Sequence, residues 1–178
     1  LFELLGYDVR DYVALYEEKM ELLLKLNSEE IVNWSGQFRK PLQNAEILPR
    51  PKTGSLPIWR AVGGSPGSAR KAGQSGVPMM LAALGGPAHI FNQTIDQYRK
   101  AALDSGHDPA ELPVGTTGFF FAAGTTQDAI REMYPYINEG MKKTNGRGFP
   151  QQAFAHAAEP ESIINVGSPQ EIIEKILY

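Results

Sequence analysis

The chain contains no cysteine. Disulfides, thiolate nucleophiles and cysteine-ligated zinc or iron–sulfur centres are therefore excluded. Histidine is nearly as scarce. His89, His107 and His156 are the full set, and none has a second ligand at metal spacing. No HExxH, paired-aspartate or Ser–His–Asp order can be read, so no metal site is expected. Basic charge is not in excess: 17 Lys and Arg stand against 20 Asp and Glu, for a net charge of −3. With no basic stripe, a nucleic-acid partner is not expected. No apolar run approaches the ~20 residues of a membrane span. The opening LFELLGYDVRDY lacks the basic start and small-residue cleavage site of a secretory signal. The expected setting is the cytoplasm, away from membranes.

What is present is one domain's worth of chain, 178 residues of which 42% are hydrophobic. It starts on leucine and stops inside the apolar helical run IIEKILY, so it reads as a single segment, 1–178, cut at both ends. Asp11 can cap a helix to about Leu26, with Val13, Tyr16, Met20, Leu23 and Leu24 at helical spacing. Glu17, Glu18, Lys19, Glu21 and Lys25 fall on its wet face. Ser28 is read as opening a further helical turn, SEEIVNW, and residues 35–55 as a long connection with room for a small hairpin. Three apolar strands follow, at 58–62, 77–84 and 112–123. Helices come after them, at about 88–105 after the second strand and from Thr125 or Thr126 after the third, where Pro135 should kink or break it. Gly106 ends the helix at 88–105. A short helix fits 151–158. Ser168, Pro169 and Glu171 form the signature of a capping box. Unbroken apolar strands alternating with helices imply an α/β fold with a parallel sheet. Three strands are too few for a closed barrel of eight strand–helix units and ~250 residues.

The most informative stretch is LPIWRAVGGSPGSARKAGQSG, residues 56–76. Gly63 and Gly64 allow the backbone angles that side chains forbid. Ser65 is a good N-cap, and Pro66 stands where its missing N–H costs nothing. The free amides and dipole of such a helix start can seat an anion, with hydroxyls at Ser65 and Ser68 as added donors. The same residues also suit an ordinary strand-to-helix turn.

Elsewhere the chemistry is sparse. His107, just past a helix stop, suits a polar turn; His89 near a helix start could reach a ligand at the preceding strand end. His156 has no interpretable setting. Arg60 interrupts an apolar strand, so it either meets an anion inside the fold or lies on an uncovered side. Trp34 and Trp59 suit packing. Asn145-Gly146-Arg147-Gly148 is a turn with one cation that could close over an anionic ligand.

Taken together, PIWRAVGGSPGSARKAG, GVPMMLAALGG, YRKAALDSGHDP and INVGSPQEIIEKI, in this order and spacing, resemble the bacterial luciferase-like, flavin-dependent monooxygenases. Leu5-Gly6-Tyr7-Asp8, and Trp34-Ser35-Gly36 leading to Pro49-Arg50-Pro51, resemble them too. The resemblance implies a partial (β/α)8 TIM barrel without its N-terminal strands and its last strand. It implies FMN as cofactor, with Gly63, Gly64, Ser65 and Ser68 contacting its phosphate, and Ala82 and Ala83 near the ring or substrate. The implied reaction uses reduced flavin and molecular oxygen on a small organic substrate. A deazaflavin-dependent hydride-transfer enzyme of the same superfamily and a non-catalytic flavin-binding relative are the alternatives. The catalytic residues are not identified: those that attend the ring fall on strands absent from this sequence, and none of the three histidines inherits that role. Arg60 and His89 depart from the family pattern. The 144–162 segment matches the family's loop over the site. A chain exposing sheet edges in this way is expected to pair with a second copy or with a complementary part of a barrel.

Overall fold

A computed structural model describes residues 2–63 and 65–177, and the chain falls into two compact units, Leu1–Ile58 and Trp59–Tyr178.

In the first unit, helix α1 spans Tyr12–Ser28, entered through a 3-10 turn, Val9–Asp11, whose cap is Asp8. The Asp8 carboxylate accepts from the Arg10 amide at 2.8 Å, and its bond to the Arg10 side chain holds its pKa below the usual value. Asp11 precedes α1 but makes no side-chain cap bond. The buried stripe of α1 is Leu15, Met20 and Leu22, whereas Val13 and Leu23 are exposed. The SEEIVNW segment does not open a helix: Ser28 ends α1 and residues 31–34 are extended. Strand β1, Ile31–Trp34, pairs antiparallel with β2, Leu42–Glu46, with an irregularity between Val32 and Trp34. Two β-branched residues in a row favour extended backbone, and Val32 is completely buried on the hairpin's covered face. Arg50 closes the end of α1, donating to the carbonyls of Leu26, Asn27 and Glu29 at 2.9–3.0 Å. Glu18 is not a solvated charge: its carboxylate accepts from the Phe38 amide at 3.1 Å and also from that of Gln37.

The second unit is the α/β part. Strands β3, Arg60–Val62, β4, Met79–Ala82, and β5, Val114–Thr117, form a parallel sheet in that order, with Val62 opposite Leu81 and Leu81 opposite Thr116. Helices α2, Pro66–Gln74, and α3, Asn92–Asp104, cover one face. Val62, Met79, Leu81, Ala69, Ala72, Tyr98 and Ala102 are the core between them. A Cβ on Gly73 would run into the Tyr98 carbonyl and lie 2.8 Å from the Ala102 nitrogen, so glycine sets how closely α2 and α3 approach. The Tyr98 hydroxyl donates to the Val77 carbonyl at 2.8 Å.

The third expected strand is two. After β5 the chain continues as β6, Phe120–Ala122, which leaves β4 and pairs in parallel with β7, Asn165–Gly167, a strand not expected from the sequence. The even-numbered Leu112 and Val114 belong to the first core; the odd-numbered Phe119, Phe121 and Ala123 pack on a second. One extra residue therefore shifts the alternation between β5 and β6, as a bulge does. Gly118 sits there, where a Cβ would lie 2.8 Å from the Ala83 carbonyl.

The second core includes Ala129, Ile137, Phe154, Ala157, Ile164 and Val166. Helix α4, Thr126–Asn145, covers it and runs through Pro135 without a break. Proline removes a single N–H there, and the other turns of a long, packed helix keep theirs. Thr125 is the cap, accepting from the Asp128 amide at 3.1 Å. Short helix α5, Gln151–Ala155, leads into a 3-10 turn, His156–Ala158. Helix α6, Pro169–Leu177, follows β7. Only half of its capping box forms. Ser168 Oγ accepts from the Glu171 amide at 3.3 Å, but the Ser168 amide donates to Thr126 Oγ1 at 2.9 Å instead of to Glu171.

Candidate functional site

Strand β3 ends at Val62, and within four residues the chain enters α2. Ser65 has the extended backbone of an N-cap, φ −75° and ψ 121°, and Pro66 opens the helix. Ser65 Oγ makes no cap bond; the residue meets α2 through its carbonyl, which accepts from the Ala69 amide at 3.1 Å. By helix geometry the first-turn amides of Gly67 and Ser68 have no acceptor within α2. The turn thus presents exposed Ser65 and half-buried Ser68 beside amides at the positive end of the helix dipole. No side chain is needed to open it. Gly63 does not adopt a positive φ, and a Cβ there would meet open space, so its role is not the conformational one expected. Gly64, the other expected contact, lies outside the described residues.

At the ends of the next two strands is a cleft of about 630 Å³. Leu81, Ala83, Thr116 and Thr117 form its floor, and His89, Phe91 and Ile95 one side. Residues 160–163 form another side. They are laid against the turn after β4 by bonds from Ala88 N to the Glu161 carbonyl, 2.8 Å, and from Ile163 N to the Gly86 carbonyl, 3.3 Å. His89 is thus at a ligand-sized space, although exposed. Ala83 joins it there, while Ala82 is only half-buried on the sheet.

The other sequence candidates are placed elsewhere. His107 Nε2 lies 3.2 Å from the Gln74 carbonyl and ties the end of α3 to the end of α2. His156 Nδ1 lies 2.6 Å from Glu159 Oε1 on the surface. Arg60 is 2% exposed, so the strand is covered on that side. Trp59 packs over Gly115, whose added Cβ would lie 3.3 Å from the indole. The 145–148 turn is bound from within: Asn145 Oδ1 accepts from the Arg147 amide at 2.8 Å and the Gly148 amide at 3.2 Å, and Asn138 Oδ1 accepts from Phe149 at 3.1 Å. Among the described residues no group of His, Asp and Glu is arranged to hold a metal, and no helix is long and apolar enough to cross a membrane.

Sequence reasoning missed Lys175. Half-buried on α6, its Nζ donates to the Ala157 carbonyl and, at 3.1 Å, to that of Ile164. Burial pulls its pKa below the ordinary lysine value, with Glu171 acting in the opposite direction. A lone lysine in an amphipathic helix carries no sequence signal of this.

The family profile described as luciferase-like monooxygenase matches residues 2–178. The chain belongs to that family. Among curated protein sequences none matches it. Solved structures similar to this luciferase-like chain include the monooxygenase RslO1 from Streptomyces bottropensis, 24% identical with a TM-score of 0.76, covering 98% of this chain and 52% of that one. An F420-dependent secondary alcohol dehydrogenase, in complex with an F420-acetone adduct, is 19% identical with a TM-score of 0.65, over 95% and 52%. The oxygenating constituent of 3,6-diketocamphane monooxygenase from the CAM plasmid of Pseudomonas putida, a type II Baeyer–Villiger enzyme in complex with FMN, is 18% identical. Its TM-score is 0.61, over 97% and 53%. At these identities the likeness is one of fold. The luciferase-like chain spans about half the length of each.

Proposed function

We propose that this chain is the cofactor-phosphate-binding part of a flavin-dependent oxidoreductase, a monooxygenase that acts on a small organic substrate with reduced FMN and oxygen. The observation that carries the reading is the turn between β3 and α2. Ser65 keeps its hydroxyl out of the cap, next to two first-turn amides, and this turn lies at the carboxyl end of a parallel strand. Ligands bind at that end of parallel α/β sheets because the following helix starts there. Ser65, Ser68 and the local amides, with Gly63 open to close backbone approach, fit a phosphate monoester, and Gly64 is kept as a proposed contact outside the described residues. Bound FMN would supply the redox chemistry; the chain's own share is to hold its anionic end and, through the cleft beside Ala83, to shield a substrate from water. We further propose that residues 1–178 are a single segment of a barrel domain. The outer edges of β3 and β5 would then be covered by other strands of a longer protein or by a second copy.

The test is a titration of the purified protein with FMN and with riboflavin, which lacks the phosphate. FMN should bind at least about tenfold more tightly, and the Ser65→Ala/Ser68→Ala double variant should lose that advantage. Equal affinity for the two ligands would end the reading. The structural likeness to an F420-dependent dehydrogenase supports a second reading, hydride transfer with a deazaflavin. Deazaflavin binding in preference to FMN, without oxygen uptake on reduction, would select it. FMN binding with no turnover of oxygen or hydride would select a non-catalytic carrier.

A further inference from the structure

Lys175 lines the cleft from α6 and reaches the two points where one wall begins and ends. Ala157 and Ile164, whose carbonyls accept from its Nζ, are both anchored in the second core. Between them the chain leaves that core and returns. Its outer part is the cleft wall, bonded in front to Gly86 and Ala88 and bridged between Pro87 and Ser162. The wall is therefore held along its outer part by backbone bonds and at its two ends by one ammonium in the cleft lining.

We propose that Lys175 is a positioning residue that sets the width of the cleft by fixing residues 157–164. The inference rests on the reading of this cleft as the ligand space of a flavin-dependent oxidoreductase. A lysine retained for its hydrocarbon stem would leave its head in water. Here the head is taken partly out of water and aimed at two carbonyls, an arrangement whose desolvation cost is offset by charge-assisted bonds. Removing the ammonium frees two carbonyls at the ends of one segment, and local opening of that segment becomes easier than opening of the sheet beneath it.

The experiment compares the full chain with Lys175→Met, which keeps the stem, and Lys175→Arg, which keeps a cation with several donors. Hydrogen exchange of the Ala88 and Ile163 amides should accelerate about tenfold or more in Lys175→Met and stay near the parent rate in Lys175→Arg, while the Met79 and Ala83 amides of the sheet are unchanged. Unaltered exchange in Lys175→Met, or equal acceleration across the sheet, overturns the proposal. Should Lys175→Met not fold, the parent decides: a wall fixed at both ends opens as one piece. Protection of Ala88 and Ile163 differing by more than about tenfold would then overturn it. FMN titration of the parent reports separately on the flavin reading, since its failure leaves the exchange result standing.

Discussion

Gly73 and Gly140 make opposite predictions for the same substitution. Both are helical positions without a positive φ, Gly73 in the last turn of α2 and Gly140 inside α4. Gly→Ala in such a place stabilises a helix by about 0.8–1 kcal/mol when the methyl meets nothing. At Gly140 nothing lies within 4 Å of the added Cβ, so the full gain is expected. At Gly73 the methyl meets backbone of α3, the Tyr98 carbonyl and the Ala102 nitrogen, neither of which can swing aside as a side-chain tip would. Inserting a methyl into a packed core costs about 1–3 kcal/mol, and backbone neighbours put the cost at or above the top of that range. The net result for Gly73→Ala is a loss of about 2 kcal/mol, and for Gly140→Ala a gain of about 0.8 kcal/mol. Urea unfolding followed by circular dichroism reads both. The functional corollary is that Gly73→Ala tips α2, and with it the amides next to Ser65, so FMN affinity should fall as well. A Gly73→Ala protein as stable as its parent would refute the account of the α2–α3 contact.

Three further outcomes are expected. Burial raises the pKa of Tyr98, so above about pH 10 the folded state keeps a proton that the unfolded chain has lost, and stability falls as pH rises through that window. Tyr98→Phe should abolish the Tyr98 share of this alkaline loss, at a cost near neutrality of about 1–3 kcal/mol for the stranded Val77 carbonyl, read from urea midpoints at pH 7 and pH 10.5. Arg50→Ala should cost about 1–3 kcal/mol in the first unit by releasing three carbonyls at the end of α1, with Arg50→Lys recovering only part, measured by thermal melting. Thr126→Val should strand the Ser168 amide and cost about 1–3 kcal/mol. Faster hydrogen exchange at that amide, with the α2–α3 region untouched, is the check.

The parts of the fold that were legible in the sequence are those written in local chemistry. The strand–turn–helix at 58–74, the glycine after α3, the Thr125 cap and the short helix at Gln151 each depend on residues within one or two turns of each other. The errors come from partners distant in sequence. Ser28-Glu29-Glu30 looks like a helix start, yet Ser28 closes α1, and Ile31 and Val32 extend because residues 42–46 pair with them. Glu18 looks like one more surface charge until the 36–38 loop comes round to it. Three phenylalanines in a row hide the change of phase at Gly118, since any alternation fits an unbroken apolar run. Strand β7 is three residues long, shorter than any periodic signal. At the candidate site, the helix start at Ser65 and Pro66 is readable because a cap and a first-turn proline announce it. The cleft was not, because residues 81–95, 116–118 and 160–163 meet only in the folded chain.

The shift at Gly118 divides the labour within the second unit. Below it the strand answers to the Tyr98 cluster; above it, to the Phe154 cluster, and the joint between them is a residue with no side chain to transmit a load. What a side chain would keep apart, the glycine lets close: the carbonyls of Ala83 and Ile163 both come up to it, and the two clusters share one continuous stretch of chain.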